Sequence, residues 1–356
     1  MRELVIGGRR IADDTENFVI AELGHNHQGD LDKARDLIRI AAECGVDAVK
    51  LQKRDNRSLY TRAFYDSPYD NEASFGPTYG AHREALELDG AAWDALIPFA
   101  RERGMMLFAT AFDPPSGDFL AERDVPAFKI ASGDLRNLPF LRQLAGYGRP
   151  LLLSTGGGTL EQVERAVDAI GSINPALALL QCTAAYPVEV EELNLRVIET
   201  YRERFPELVV GLSDHHNGIA MTLVAHMLGA RIVEKHFTLN HAWKGTDHAF
   251  SLMPDGMRRL VRDLRRIESA LGDGVKQPFA SESKPLEKMG KKLVAARDLP
   301  AGHVLAEGDL VARSPADEGL APSELERLLG GTLGRPLQRD EALVEADVMA
   351  FAAREV

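Results

Sequence analysis

The chain reads as an α/β protein: a closed (β/α)8 (TIM) barrel followed by a small β-rich module. Three observations predict this. Eight apolar, strand-like runs in the first two thirds each end in a charged or hydroxyl-bearing residue. Stretches with helical spacing separate most of them, as a parallel sheet buried on both faces requires. The alternation then stops near Gly272 and gives way to a different, turn-rich pattern.

The runs are FVIAE (18–22), DAVKLQ (47–52), MLFAT (106–110), AFKIAS (127–132), PLLLST (150–155), LALLQCT (177–183), LVVGLSDHH (208–216) and RIVEKHF (231–237). Eight strand-helix units fit a closed barrel better than an open sheet, and the chemistry of such barrels sits at the C-terminal strand ends. Glu22, Lys50, Gln52, Thr110, Lys129, Ser132, Ser154, Thr183, Ser213, Asp214, His215, Glu234 and His236 are therefore expected to ring one mouth.

Residues 4–11 (LVIGGRRI) predict a hairpin turning at Gly7–Gly8 that closes the bottom of the barrel. The first helix places Leu31, Ala34, Leu37, Ile38 and Ala41 on one face after an Asp30 cap and stops at Gly45. Thr159 and Gln162 form a capping-box pattern, and Pro254 suits the first turn of the helix that ends at Leu271. The segment between Lys53 and Gly90 is too long for an ordinary connection. Its aromatics favour an ordered lid or substrate-contacting loop over a variable surface insertion.

The barrel is assigned residues 1–272, a linker residues 273–290, and the second module residues 291–356. Within the module, LPAGHVLAEGDL (299–310) and LQRDEALVEADV (337–348) align, ending on Asp309 and Asp347. This duplication predicts two similar β-turn units. A module of this size is marginal alone, so docking on a barrel or a partner subunit would help it.

Composition narrows the function. A net charge of −12 without a basic stripe argues against nucleic-acid binding. No run reaches membrane-spanning length, and the start, MRELVIGGRRIADDTE, lacks the features of a signal or transit peptide. A soluble cytoplasmic protein is expected. Cys44 and Cys182, far apart, read as core thiols rather than a disulfide.

At the mouth, His215 and His236 end consecutive strands and should lie side by side. Taken singly, each histidine reads more often as a hydrogen-bonded structural residue. Two neighbouring strand ends, with Glu22 at hand, favour a divalent metal with open positions for water and substrate. Mn²⁺ or Mg²⁺ fits a shell completed by oxygen, and Zn²⁺ is the alternative. Lys50, Lys129, Thr110, Ser132, Ser154 and Ser213 supply cations and hydroxyls suited to a phosphate and a carboxylate. Any one of the hydroxyls would read equally well as a helix cap. Together they imply an anionic small molecule. Two rivals stand beside this reading. One is a Schiff-base lysine aldolase, which needs no metal. The other is a noncatalytic barrel with a carbohydrate-binding tail.

The segments IAELGHNHQGDLDKA, KLQK, FKIASGD, LLLSTGG, QCTAAYPVEVEELNLR, VGLSDHH, EKHFTLNHAWKGTDHAFSL and AARDLPAGHVLAEGDL resemble, in order and spacing, the sialic acid synthase family. The resemblance runs from about Phe18 into the tail. It implies a phosphoenolpyruvate-condensing barrel, an antifreeze-like SAF domain, and a domain-swapped homodimer in which each tail covers its partner's barrel. The reaction it implies joins phosphoenolpyruvate to an N-acyl-mannosamine or related aldose, giving a nonulosonic acid and inorganic phosphate. By motif, His215 and His236 would ligate the metal. Lys50, Thr110, Lys129, Ser132, Ser154 and Ser213 would bind phosphoenolpyruvate, with His215 nearby. Glu22 would act as acid/base or orient water, and Gln52, Asp134, Tyr186 and Asp247 would contact the sugar. Arg313 of the tail would reach the partner's sugar site. Ala184 stands where many members carry Asn or Ser, and Asp134 is one methylene shorter than the Glu of several bacterial members. WKGTDH, SGD and TYGAHRE resemble the animal-type branch, which uses 6-phosphorylated sugars. Arg83 or His82 could meet such a phosphate, although either alone reads first as a solvated loop charge.

Overall fold

A computed structural model describes residues 2–315 and 317–350. The chain divides into two compact units, Met1–Leu271 and Gly272–Val356. It begins with an antiparallel hairpin, β1 (Glu3–Ile6) and β2 (Arg9–Ala12). Gly7 and Gly8 turn it at φ of +54° and +85°, the left-handed backbone that a two-residue hairpin turn requires. Ile6 and Ile11 are fully buried, and Gly7 lies so close to Met106, at the start of a barrel strand, that a Cβ there would sit 2.7 Å from its sulfur. The hairpin thus covers the N-terminal end of the barrel.

The barrel strands are β3 (Phe18–Gly24), β4 (Ala48–Lys53), β5 (Met106–Ala111), β6 (Phe128–Ile130), β7 (Leu151–Ser154), β8 (Leu177–Cys182), β9 (Val209–Asp214) and β10 (Ile232–His236). All pair in parallel and in chain order, and β10 closes on β3 from Ile232 opposite Phe18 to His236 opposite Glu22. Each strand occupies one of the eight apolar runs. β6 is only three residues long, so Ser132 sits beyond it in a single turn of 3-10 helix, Ser132–Asp134.

The helices of this unit are α1 (Leu31–Glu43), α2 (Asn56–Leu59), α3 (Arg62–Tyr65), α4 (Tyr79–Ala85), α5 (Gly90–Arg101), α6 (Pro114–Glu122), α7 (Leu138–Gly146), α8 (Leu160–Gly171), α9 (Val197–Arg204), α10 (Ala220–Met227) and α11 (Pro254–Leu271). Ala34, Leu37, Ile38 and Ala41 form the buried stripe of α1. The Asp30 carboxylate accepts from Asp32 N and Lys33 N at 2.8 and 3.0 Å, which satisfies two of the free amides at its start. Thr159 and Gln162 make the reciprocal capping box of α8 at 3.1 and 3.4 Å. A continuous core joins strands to helices through Phe18, Phe108, Phe128 and Leu152, all fully buried. Truncating one such phenylalanine to alanine would cost about 3–5 kcal/mol.

The long segment after β4 is ordered by aromatic packing. Tyr79 of α4 lies 5.1 Å from Tyr60, 4.6 Å from Phe64 and 5.2 Å from Tyr69, centroid to centroid. Gly80 is pressed on the Tyr65 ring, where a Cβ would approach to 2.4 Å.

In the second unit, the expected linker carries a short helix, α12 (Ser283–Met289), preceded by one 3-10 turn. Beyond it come β11 (Lys292–Ala295), β12 (Leu310–Arg313), α13 (Leu325–Leu328), β13 (Thr332–Leu333) and β14 (Val348–Ala350). Leu299, Leu305, Leu337 and Leu343 share a separate small core. The sequence duplication is structural: Leu299 and Leu337 exchange both backbone hydrogen bonds, at 2.8 and 2.9 Å. Each repeat locks its turn with an arginine on an aspartate twelve residues later, Arg297 on Asp309 and Arg335 on Asp347. Residues 351–356 of the expected module lie outside the described residues.

Candidate active site

A cavity of about 470 Å³ opens at the C-terminal strand ends, and of the barrel residues expected to ring the mouth all but Thr183 and Asp214 line it, together with Asp134, Tyr186 and Asp247. Its floor is a buried charge network. Lys50 Nζ lies 2.6 Å from Glu22 Oε2, 2.8 Å from Thr110 Oγ1 and 3.8 Å from Glu234 Oε2. Gln52 Nε2 donates to Glu22 Oε1 at 2.8 Å, and Ser213 Oγ donates to Glu234 Oε1 at 2.9 Å. Lys129 donates to Ser154 Oγ at 2.6 Å and to the Ile130 carbonyl at 2.8 Å. Gly156 N donates to Ser132 Oγ at 2.9 Å.

The chain shapes this floor locally. The β3 to β4 register shifts between Glu22 and Gly24, and Gly24 takes a φ of +52°. A Cβ there would lie 3.3 Å from both Gln52 Nε2 and Glu22 Oε1, so glycine lets the backbone approach the carboxylate.

The two glutamates titrate apart. Burial is the largest influence on Glu22 and, with repulsion from Glu234, raises its pKa despite Lys50. Burial also works against ionising Glu234, yet Lys50, Lys129 and the Ser213 hydroxyl prevail and hold it at about 2. The environment therefore favours the protonated form of Glu22 more than that of Glu234. Burial lowers the pKa of Lys129, opposed by Glu234.

Above this floor stand His215 and His236, ring centroids 5.3 Å apart. His215 Nδ1 contacts the Thr183 carbonyl at 2.9 Å. The proton therefore resides on Nδ1, leaving Nε2 with its lone pair available, the arrangement of a metal-ligating imidazole. His236 Nδ1 is buried without a hydrogen-bond partner and faces Asp247 at 3.6 Å. Among the described residues no group of three or more His, Cys, Asp or Glu side chains forms a metal cage. The pair suits a cation whose remaining positions are filled by water and substrate oxygen. Tyr186 covers His215 at 4.1 Å between ring centroids. Burial opposes ionisation of Asp247, but His236, Thr246, His25 and Arg83 keep its pKa below the ordinary value. Asp134 accepts from Asn137 Nδ2 at 3.1 Å, and burial raises its pKa.

Two residues expected at the mouth are not there. Thr183 Oγ1 donates to the Glu192 carbonyl at 2.8 Å, and Asp214 holds Lys235 at 3.0 Å and Thr222 at 3.1 Å. Strand side chains alternate, so their neighbours Cys182, Ser213 and His215 point inward and these two point toward the helices. Arg313 lies in the second unit, half exposed and paired with Asp340 at 2.5 Å.

Other lining residues escaped the sequence reading. Cys182, read as a core thiol, faces the cavity 3.9 Å from His215 Nδ1. Burial favours its thiol, but His215, Ser132 and Lys129 lower its pKa. His25 and Arg54 follow the strand ends by a few residues and also line the wall. Continuing the strand-end reading into the following loops would have found them. His82 is buried and Arg83 partly buried, so neither is a solvated loop charge.

Comparison with known proteins agrees with this geometry. Residues 37–276 match the NeuB family model and residues 292–349 the SAF domain. The chain is 38% identical over 338 residues to N-acetylneuraminate-9-phosphate synthase of Homo sapiens, covering 95% of this chain and 94% of that protein. It is 36% identical to N,N'-diacetyllegionaminic acid synthase of Campylobacter jejuni, over 93% and 99% of the two chains. The crystal structure of N-acetylneuraminic acid synthetase from Leptospira borgpetersenii superposes with a TM-score of 0.68 at 31% identity, covering 80% of this chain and 95% of that one. A closed eight-stranded barrel with this mouth, followed by a SAF domain, makes the chain a member of the NeuB family of sialic acid synthases.

Proposed function

We propose that this enzyme is a transferase that condenses phosphoenolpyruvate with an N-acyl-mannosamine, its 6-phosphate or a related aldose, releasing a nonulosonic acid and inorganic phosphate. The observation that carries this reading is the coexistence, in one cavity, of Lys50 and Lys129 with their hydroxyl partners and the His215/His236 pair. Two cations and several hydroxyl donors match the phosphate and carboxylate of phosphoenolpyruvate. The imidazole pair stands beside them where an aldehyde would meet the enol carbon.

In the reaction, C3 of phosphoenolpyruvate forms a bond to the sugar aldehyde carbon, whose oxygen takes a proton. Water adds at C2. The resulting C2 hydroxyl loses its proton as the C2–O bond to phosphate breaks, leaving a ketone and inorganic phosphate. Glu22, with its raised pKa and its bond to Lys50, accepts a proton from the attacking water and returns one. Lys50 and Lys129 offset the charge of the departing phosphate. Ser132, Ser154, Ser213 and Thr110 orient phosphoenolpyruvate, while Gln52, Asp134, Tyr186 and Asp247 hold the sugar hydroxyls and acyl group.

His215 and His236 would hold a divalent metal, Mn²⁺ or Mg²⁺. When bound, such an ion supplies Lewis-acid polarisation of the aldehyde and a lowered pKa for water. The SAF unit fits a homodimer in which the tail of one subunit covers the other's mouth and brings Arg313 to the sugar. Among its described residues the buried core numbers ten side chains, which is small for independent stability and supports a docked arrangement. We place the reaction in the cytoplasm, where phosphoenolpyruvate is produced.

The test is phosphate release from phosphoenolpyruvate across N-acetylmannosamine, its 6-phosphate, mannose 6-phosphate and diacetamido hexoses, with and without a chelator. Sugar-dependent release matched one to one by keto acid is expected. Silence across the panel would overturn the reading in favour of a noncatalytic binding role.

A further inference from the structure

Two buried charges lie behind the stretch of wall that carries His215 and His236. Asp214 is 2% exposed and Lys235 1%, and neither lines the cavity. They are register partners on β9 and β10, one step beyond the pair Ser213 and Glu234. Side chains alternate along a strand, so the 2.9 Å hydrogen bond from Ser213 to Glu234 crosses the inner face, and the 3.0 Å ion pair of Lys235 with Asp214 crosses the outer one. This ion pair sits at the last register position that the two strands share.

Because β9 ends at Asp214, His215 stands one residue past the ladder, and side chains take over from it there. Asp214 Oδ1 accepts from His216 N at 2.8 Å, while Lys235 donates both to Asp214 Oδ2 and to the His216 carbonyl. The N–H and C=O of the residue after His215 are thus both held by one ion pair. Thr222 of α10 donates to Asp214 Oδ2 at 3.1 Å and steadies the carboxylate from the helix side. Lys235 also immediately precedes His236, so the strand that carries one imidazole reaches across to fix the backbone beside the other. A buried ion pair is often no more stabilising than apolar side chains of the same volume, because both charges lose their water. What apolar side chains would not supply is the directed grip on His216.

We infer that Asp214 and Lys235 are positioning residues: through the main chain of His216, their ion pair fixes His215 opposite His236 at the separation that a shared divalent cation requires. This inference rests on the metal reading above and adds to it two residues that touch neither cation nor substrate.

The experiment measures Mn²⁺ binding by calorimetry on the full chain, together with thermal unfolding and the KM for phosphoenolpyruvate at saturating Mn²⁺, in the wild type and in the double variant Asp214→Asn/Lys235→Met. Removing both charges together leaves no unpaired charge in the wall. The asparagine oxygen still accepts from His216 N, but methionine donates nothing to the His216 carbonyl. The double variant should unfold cooperatively and bind Mn²⁺ about tenfold or more weakly, the usual loss when a support behind a metal ligand is removed. Its KM for phosphoenolpyruvate should stay unchanged, since Lys50 and Lys129 stand on β4 and β6. Wild-type Mn²⁺ affinity in a folded double variant overturns the inference and leaves the metal reading intact. Weaker binding matched by an equal rise in that KM also overturns it, because the whole mouth has then been distorted. If the double variant does not fold, Thr222→Val deletes one donor to Asp214 and keeps the ion pair; weaker Mn²⁺ binding supports the inference and unchanged binding overturns it. A wild-type protein that binds neither Mn²⁺ nor Mg²⁺, or whose binding survives His236→Ala, removes the metal reading itself, and the inference with it.

Discussion

Lys50 Nζ sits 2.6 Å from Glu22 Oε2 and 3.8 Å from Glu234 Oε2, so one buried ammonium bridges two carboxylates whose pKa values diverge. Three adjacent elements set this arrangement: Glu22 pairs with Lys50 across β3 and β4, and with His236 across β3 and β10. Closing the barrel is what brings carboxylate, ammonium and imidazole together.

Glu22→Gln keeps the side chain's shape and removes its proton chemistry. Phosphate release should fall about 100-fold to 10,000-fold, the range for a lost general acid or base. The KM for phosphoenolpyruvate should move far less than kcat. Steady-state assays, with circular dichroism to verify folding, check this. An unchanged kcat would remove Glu22 from the proton transfers.

Glu234 makes the fold acid-sensitive. Its folded-state pKa is depressed from 4.5 to about 2, so its stabilising contribution is present above pH 4.5 and is lost as pH falls from there towards 2. Linkage makes that contribution about 3 kcal/mol. Glu22, with a raised folded pKa, acts in the opposite sense: its contribution is present below 4.5 and is lost as pH rises through the folded value. Denaturant unfolding between pH 5 and 2.5 should lose stability less steeply in Glu234→Gln than in the wild type. Equal slopes would contradict the assignment.

If His215 and His236 hold the proposed metal, turnover depends on it. Prolonged chelation should abolish turnover, and Mn²⁺ or Mg²⁺ should restore it. His236→Ala should weaken metal binding, measured by calorimetry on the protein alone. Full activity after metal removal would exclude the imidazole pair as a required ligand site.

The tail's role is testable by mixing subunits. Arg313 makes a half-exposed pair with Asp340, so Arg313→Ala should cost at most about 1 kcal/mol of stability. If the tail acts in trans, mixing Arg313→Ala with Glu22→Gln builds one intact site in each mixed dimer. Random pairing then regains about a quarter of wild-type activity. No regain would place Arg313 in cis or outside the site.

Much of this site was legible because a barrel reports itself through strand ends. Lys50, Thr110, Lys129, Ser154 and Ser213 belong to strands whose apolar runs end on them or just past them. The reading failed where consecutive residues near the end of a run carried candidate groups, as at Cys182–Thr183 and Ser213–Asp214–His215. There only the two-residue alternation decides which faces in, and Thr183 and Asp214 face out. Arg54, His25 and Arg83 carried no such signal. Arg54 and His25 lie in loops and Arg83 on the short helix α4, which the Tyr60, Phe64, Tyr69 and Tyr79 packing holds in place. The partial duplication of the SAF unit was visible as two aligned aspartates, but not their arginine partners Arg297 and Arg335.

The central claim is tested most directly by labelling the bridging oxygen between C2 and phosphorus of phosphoenolpyruvate with a heavy isotope. Addition of water at C2 and rupture of the C2–O bond predict that the label leaves entirely in the inorganic phosphate. The keto oxygen of the nine-carbon acid should then come from solvent. Label retained in the keto acid at the moment of release would mean that phosphorus–oxygen cleavage generates pyruvate first. That result would contradict the condensation proposed for Glu22, Lys50 and Lys129 and favour a lysine-dependent aldolase.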